Sequence, residues 1–115
     1  MSRIVFVTGG TGFLGRHLVP MLCQAGHRVR ALTRQQRAAG WLLSLPRVEL
    51  VRGDLLSPET FCAALVDCDW VVHAGGLFSF WGQAEDFYKA NVIGTENLLR
   101  AAADAGVTGF VHVST

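Results

Sequence analysis

The feature that most limits how this chain can fold is a glycine-rich segment that directly follows an apolar stretch. Residues 5–15 read VFVTGGTGFLG, and Gly9, Gly12 and Gly15 are spaced three apart. A strand that runs into such glycines and then into a helix is typical of dinucleotide sites. The first glycine allows a tight turn, the second lets the backbone approach a pyrophosphate, and the third lets the helix pack closely on the strand. The alternative is a glycine-rich turn that binds no ligand.

The start of the helix after these glycines is the second part of the predicted site. The first turn of a helix has unpaired N–H groups, and the positive end of the helix dipole lies there, so both attract phosphates. We therefore predict that five residues of this segment bind a dinucleotide: Gly9, Gly12, Phe13, Leu14 and Gly15.

Length and composition predict a single globular domain. The chain has 115 residues, of which 50% are hydrophobic, and residues 1–115 are treated as one domain. No run approaches the roughly 18 apolar residues of a membrane span, and residues 1–3 lead straight into a strand without a signal segment. This pattern favours a cytoplasmic protein without membrane association. Cys23, Cys62 and Cys68 lack the short spacing of metal and redox motifs, so no metal site is predicted.

The net charge is only +1, but the charges are unevenly distributed along the chain. No acidic residue precedes Glu49, whereas these arginines do: Arg3, Arg16, Arg28, Arg30, Arg34, Arg37 and Arg47. A cationic N-terminal half favours a phosphate-rich ligand. Nucleic acid is not predicted as a partner, because the arginines are not interleaved with aromatic residues and no basic recognition helix accompanies them.

Apolar runs and helical patterns alternate along the chain. Strands are predicted over residues 3–8, 28–33, 48–51, 70–73 and 110–113, and helices over 14–25, 57–66 and 85–106, with a loose helix over 34–45. Such alternation implies right-handed crossovers and a parallel sheet covered on both faces. The predicted fold class is α/β: a Rossmann-type doubly wound parallel sheet, strand order 3-2-1-4-5, truncated after the fifth strand. The ligand then lies at the carboxyl ends of the strands.

Individual residues indicate where the predicted helices begin, bend and end. Pro20 lies past the first turn of the first helix, where it removes a backbone hydrogen bond, so a bend is expected there. Ser57 as N-cap, Pro58 at the first helical position and Glu59 in the first turn predict the start of the second helix. Gly26 marks the end of the first helix.

The end of the second predicted strand bears on the choice of cofactor. Sites for NAD place an acidic residue about 20 positions beyond the glycines to bind the ribose 2′-hydroxyl, whereas an arginine suits the 2′-phosphate of NADP. Here the strand ends in Thr33 and Arg34 without a carboxylate, and Arg34 and Arg37 have forked donors for a phosphate. NADP is therefore predicted. The alternative is that both arginines are solvated on a loop, which leaves NAD open.

Four motifs occur in a recognisable order. They are residues 8–15 (TGGTGFLG), 53–55 (GDL), 73–76 (HAGG) and 91–99 (NVIGTENLL). Over its whole length the chain resembles the extended short-chain dehydrogenase/reductase family. This is the NAD-dependent epimerase/dehydratase group, which includes sugar-nucleotide epimerases, 3β-hydroxysteroid dehydrogenase/isomerases and dihydroflavonol-reductase-like enzymes. The resemblance implies an NAD(P)-dependent oxidoreductase or epimerase/dehydratase whose small-molecule substrate carries a hydroxyl or carbonyl and is steroid-, flavonoid- or sugar-nucleotide-like.

The resemblance also implies roles for residues after the third and fourth strands. Asp54 would accept a hydrogen bond from the adenine amino group, with Leu55 beside it, although an aspartate in a turn also caps its own backbone. His73, Ala74 and Gly75 would form the floor under the adenosine ribose and the pyrophosphate, where small residues let the backbone come close. His73 is not predicted as a catalytic base, since a histidine at a strand end is more often packed or hydrogen-bonded.

Asn91 lies on the inward stripe of the last predicted helix. The resemblance implies that its amide bonds backbone near the active-site strands and holds the catalytic geometry. A buried amide needs partners in any fold, so the same contact without functional consequence is the alternative.

The catalytic residues that the resemblance implies are only partly present. The family uses a Tyr-x-x-x-Lys pair plus a serine or threonine, and the hydroxyl falls on Thr115 with Ser114 as its neighbour. Tyr88 and Lys89 are adjacent, so they lie about 100° apart on a helix and cannot be that pair. We interpret the chain as the N-terminal portion of a larger enzyme, inactive alone. The alternative is a non-catalytic module that senses NADP and regulates a partner. A homodimer is left open.

Overall fold

The computed structural model describes residues 2–10, 12–34, 37–74 and 84–113, with only the backbone of 13, 37–39 and 84–90. Its strands are β1 (Ile4–Thr8), β2 (Arg28–Thr33), β3 (Val48–Arg52), β4 (Trp70–His73) and β5 (Gly109–His112). Its α-helices are α1 (Phe13–Gln24) and α2 (Ala84–Asp104), and 3₁₀ helices span Arg37–Ser44, Pro58–Thr60 and Cys62–Leu65. Each strand begins and ends within one residue of its predicted position.

The five strands form one parallel sheet in the order β3-β2-β1-β4-β5, which confirms the predicted α/β topology. Thr8 at the end of β1 pairs with Leu32 of β2 and with His73 of β4, and Thr33 pairs with Arg52 of β3. The carboxyl ends of β1 to β4 therefore meet at one edge of the sheet, which is where a doubly wound fold binds its ligand.

Both faces of β1 are covered, which explains why its sequence is continuously apolar rather than alternating. Phe6 packs on one face, and Val5 and Val7 pack on the other. On the Phe6 face, β1 packs against residues from α2 and from the segment 58–65, among them Phe61, Leu65, Leu98 and Ala102. On the Val5 and Val7 face, β1 packs with residues from α1, β2 and the 3₁₀ helix Arg37–Ser44, among them Val19, Val29, Ala31 and Leu42.

Helix α1 continues through Pro20, where the expected bend stays a prediction, and ends as predicted before Gly26. Gly26 has a φ of +92°, its N–H donates to the Cys23 carbonyl, and the N–H of His27 donates to the Leu22 carbonyl. This pair of bonds is a Schellman motif, which satisfies two of the carbonyls left open at the end of the helix. Gly106, with a φ of +78°, ends α2 in the same manner.

The predicted helix over residues 57–66 is wrong. The segment forms two short 3₁₀ helices, separated by Phe61 in a non-helical conformation. The Thr60 hydroxyl donates to the Ser57 carbonyl at 2.6 Å, and the Ser57 side chain makes no capping bond. A side chain that bonds nearby backbone in this way competes with α-helical bonds. The loose helix expected over 34–45 is likewise a 3₁₀ helix, Arg37–Ser44.

None of the helices in the described ranges is both long enough and apolar enough to cross a membrane.

Candidate dinucleotide site at the carboxyl edge of the sheet

The turn between β1 and α1 has the backbone geometry that the glycine spacing predicts. Gly9 has a φ of +73°, a conformation that favours glycine. The N–H of Gly12 donates to the Gly9 carbonyl at 3.0 Å, which closes the turn. Gly12 is the N-cap of α1, and since it has no side chain it cannot cap the first-turn N–H groups. These groups are therefore available to an anion at this edge.

Gly15 holds α1 against the turn. A Cβ at this position would come within 2.5 Å of both the Cα and the carbonyl carbon of Gly10, where no side chain fits. A Cβ at Gly12 would lie 3.3 Å from the Gly9 carbonyl oxygen, which is a tight contact. Gly12 itself is exposed, so its backbone is open to solvent. Leu14, in the first turn of α1, is also exposed, with 41% of its surface accessible.

His73 is a buried polar side chain at this edge, with 2% of its surface exposed. Its Nδ1 lies 2.6 Å from Thr8 Oγ1, and its Nε2 lies 2.9 Å from Thr95 Oγ1 on α2. Burial, and to a smaller extent the charge of His112, lowers the pKa of His73 from 6.5 to about 4. The ring is therefore neutral at physiological pH, and both of its nitrogens have partners.

The loop after β3 contains the predicted adenine contact. Asp54 Oδ1 accepts the N–H of Leu56 at 2.9 Å, which is a turn aspartate bonding its own backbone. The Thr60 hydroxyl accepts the N–H of Asp54 at 2.9 Å. The turn thus fixes the position of the Asp54 carboxylate and uses one of its oxygens.

Leu55 joins this loop to α2. A Cβ at Gly94 would lie 3.1 Å from the Cβ of Leu55, and Asn97 Nδ2 donates to the Leu55 carbonyl at 2.9 Å. Sequence reasoning assigned no role to Asn97 or to Thr95. Thr95 lies four residues after Asn91 on the same face of α2, so the helical period could have placed it toward the sheet.

The arginines of the N-terminal half do not form one phosphate-facing surface, which corrects the interpretation of the charge distribution. Arg34 lies exposed just past the end of β2, and Arg52 ends the neighbouring strand. Others bind the protein itself at the opposite edge. Arg30 donates to the Ala64 and Val66 carbonyls, Arg47 donates to the Gly26 carbonyl, and Arg3 stacks on the ring of Trp70 at 4.7 Å.

The remaining predicted site residues are placed as follows. Ala74 follows β4 and donates its N–H to the Thr8 carbonyl at 3.3 Å. Asn91 is half-buried on α2. Only the backbone of Phe13 and Arg37 is described, while Gly75, Ser114 and Thr115 lie outside the described residues. Within those described residues, no cluster of histidine, cysteine and acidic side chains could hold a metal ion.

Comparisons with known proteins agree with this geometry. The family model of the NAD dependent epimerase/dehydratase family matches residues 5–115. The chain is 43% identical over 110 residues to the 4-hydroxy-2-methyl-3-oxo-4-farnesyl-3,4-dihydroquinoline-1-oxide ketoreductase of Stigmatella aurantiaca, a match that covers 96% of this chain and 33% of that protein. It is 38% identical over 118 residues to a 3 beta-hydroxysteroid dehydrogenase/Delta 5-->4-isomerase of Mycobacterium tuberculosis, covering 96% of this chain and 31% of that one.

A crystal structure of a short-chain dehydrogenase/reductase superfamily protein from Agrobacterium tumefaciens with bound NAD superposes with a TM-score of 0.80 at 32% identity. The superposition covers 97% of this chain and 32% of that protein. The fold thus defines a Rossmann-type α/β domain with a candidate dinucleotide site at the carboxyl edge of its parallel sheet. The chain belongs to the NAD dependent epimerase/dehydratase family, and it spans about one third of the length of the curated relatives it matches.

Proposed function

We propose that this chain is the cofactor-binding part of an NADP-dependent oxidoreductase or epimerase/dehydratase. The observation that carries the proposal is the turn at Gly9 to Gly15, where uncapped N–H groups of α1 lie beside the carboxyl ends of β1 and β4. A pyrophosphate at this position would be bound by backbone amides and by the positive end of the helix dipole. The nicotinamide ring would supply the hydride acceptor or donor.

The adenosine half of the cofactor would lie along the ends of β2 and β3. Asp54 would accept the adenine amino group with the carboxylate oxygen that its own turn leaves over, beside Leu55. Arg34, exposed at the end of β2, would bind the 2′-phosphate of NADP together with Arg37. Ala74 and Gly75 would pass beneath the ribose.

The substrate we propose for the whole protein is a ketone or secondary alcohol on an apolar carbon skeleton. The support is the set of similar proteins, whose names include a ketoreductase, a steroid dehydrogenase and a putative dihydroflavonol 4-reductase. Thr115, with Ser114 as its neighbour, would supply the hydroxyl that orients the substrate. Because Tyr88 and Lys89 are adjacent and cannot act as the proton-transferring pair, these 115 residues alone should show no turnover.

Calorimetry on the folded 115-residue protein tests the cofactor assignment. We expect NADPH to bind more tightly than NADH, since only NADPH carries the 2′-phosphate. Arg34→Ala should weaken NADPH binding by about tenfold, the value of one charge-assisted hydrogen bond, and should leave NADH binding unchanged. Arg28→Ala is the matched control, because Arg28 is an exposed arginine at the opposite end of the same strand. A folded sample that binds neither nucleotide would overturn the proposal.

A further inference from the structure

Three polar side chains from three different elements form one hydrogen-bonded chain, of which Thr8 and His73 are buried and Thr95 is half-buried. Thr8 ends β1, His73 ends β4, and Thr95 lies within α2. The two ring nitrogens of His73 bridge the two threonine hydroxyls at 2.6 and 2.9 Å, and Thr8 and His73 are each 2% exposed. A bridge of this kind joins the central strand, its neighbour and a covering helix through a single imidazole, which we call the His73 bridge.

The chemistry of the ring limits what His73 can do. In a neutral imidazole one nitrogen donates and the other accepts, and a threonine hydroxyl can take either part. Both nitrogens are therefore used within the protein, and neither is left for a substrate proton. General acid or base catalysis by His73 would require the bridge to open first. Its partners point instead to a role in holding backbone positions.

The positions that the bridge holds are those the proposed cofactor needs. Thr8 is directly followed by Gly9, whose positive φ starts the phosphate-binding turn. The ring of His73 also stacks on the ring of His112 at 4.9 Å with 17° between the planes. The N–H of Val113 donates to the His73 carbonyl at 2.9 Å, and Val113 directly precedes Ser114 in the sequence.

We infer that His73 is a positioning residue for the dinucleotide, and that through Thr8 and Thr95 it fixes the Gly9 turn relative to α2. The inference rests on the proposed function. Amides that bind a pyrophosphate must be held to within about half an ångström, and a turn that is already ordered loses less entropy on binding. Loss of the bridge should therefore lower the affinity for the nucleotide even in a variant that remains fully folded.

The test is Thr95→Val, which keeps the shape of the side chain but leaves one nitrogen of His73 without its partner. We expect the dissociation constant for NADPH to rise about fivefold, which corresponds to one ordinary hydrogen bond. Thr95→Ser restores the hydroxyl and should bind within about twofold of the wild type. Thr108→Val is the matched control, because it removes a hydroxyl bond to the Asp69 carbonyl at the other edge of the sheet.

The free energy of unfolding, measured in urea, separates positioning from stability. Thr95→Val should lose more stability than Thr108→Val, because it leaves a nitrogen of the buried His73 ring unpaired, whereas the Thr108 bond is exposed. Both variants should stay folded under the binding conditions, and only Thr95→Val should lose affinity. Equal NADPH affinity in Thr95→Val and wild type would overturn the inference while the proposed function stands. A wild type that binds no nucleotide would overturn both.

A measurement on the wild type covers the case in which Thr95→Val does not fold. The ring N–H of His73 should exchange with water more slowly when NADPH is bound, because the cofactor and the bridge order the same turn. An exchange rate that NADPH leaves unchanged would also overturn the inference.

Discussion

Gly15 of α1 lies so close to Gly10 that a Cβ on Gly15 would come within 2.5 Å of the Gly10 Cα. The contact is backbone to backbone, so no rotamer change can relieve it. The third glycine of the motif is therefore required by the packing of α1 on the turn, whether or not a ligand is bound.

Gly15→Ala should therefore destabilise the protein and remove nucleotide binding together. Overpacking of this kind costs about 1–3 kcal/mol, because the helix must move away from the turn. Urea denaturation and calorimetry with NADPH measure the two effects. Gly40→Ala is the matched control, since a Cβ at Gly40 meets no atom within 4 Å. A Gly15→Ala variant as stable as Gly40→Ala would show that the turn is looser than this packing indicates.

Asp54→Asn should change which base the site accepts. The asparagine oxygen can still accept the N–H of Leu56, so the turn survives, but the amide nitrogen donates where the adenine amino group also donates. Binding of NADPH should weaken by about tenfold. The analogue with hypoxanthine in place of adenine has a carbonyl there, so the variant should prefer it relative to the wild type.

The control for this exchange is Asp67→Asn, an exposed residue with a φ of +69° that asparagine tolerates. It should bind both nucleotides as the wild type does. Equal losses for both nucleotides in Asp54→Asn would count against an adenine contact at this residue.

The sheet order could be predicted from the sequence because it depends on repeated signals. Short apolar runs that end in glycine or polar residues identified each strand in the described ranges, and the handedness of crossovers left few topologies. The helix over 57–66 could not be rejected in this way. Ser57, Pro58 and Glu59 are favourable start signals, but they do not reveal that the Thr60 hydroxyl bonds the Ser57 carbonyl or that Phe61 leaves the helical conformation.

Only the local part of the candidate site could be predicted from the sequence. The turn at Gly9 is local, so its conformation follows from the residues themselves. The His73 bridge joins residues 65 and 22 positions apart. The predicted strand order places Thr8 beside His73, but the sequence does not show that one imidazole bonds the hydroxyls of both Thr8 and Thr95. The sequence also does not show that Arg30 and Arg47, predicted as part of a phosphate-binding surface, donate to backbone carbonyls at the other edge of the sheet.

The three thiols should differ in reactivity. Cys62 is exposed, whereas Cys23 is half-buried and Cys68 is buried. Burial raises the pKa of both the Cys23 and Cys68 thiols, which keeps them protonated. A reagent that releases a coloured thiolate on reaction should modify Cys62 rapidly at pH 8, Cys23 more slowly, and Cys68 only as the protein unfolds. Cys62→Ser should abolish the rapid phase, and a rapid phase that persists would contradict the burial of the other two.

Stability should fall as the pH drops through the range in which His73 resists protonation. In the unfolded chain this histidine binds a proton near pH 6.5, but in the folded protein burial lowers its pKa to about 4. Between these values the unfolded state binds more protons, so acid favours unfolding. The part of the free energy of unfolding that depends on a neutral His73 is fully present above pH 6.5 and is lost as the pH falls toward 4. It amounts to at most about 3 kcal/mol.

His73→Asn isolates this effect, because the two proteins differ only in this titratable group. Urea denaturation at several pH values should show the wild type losing stability faster than His73→Asn between pH 6.5 and 4.5. If the free energies of unfolding of the two proteins differ by the same amount at every pH in this range, His73 takes up its proton as readily in the folded protein as in the unfolded chain. The bridge to Thr8 and Thr95 would then not depend on a neutral ring.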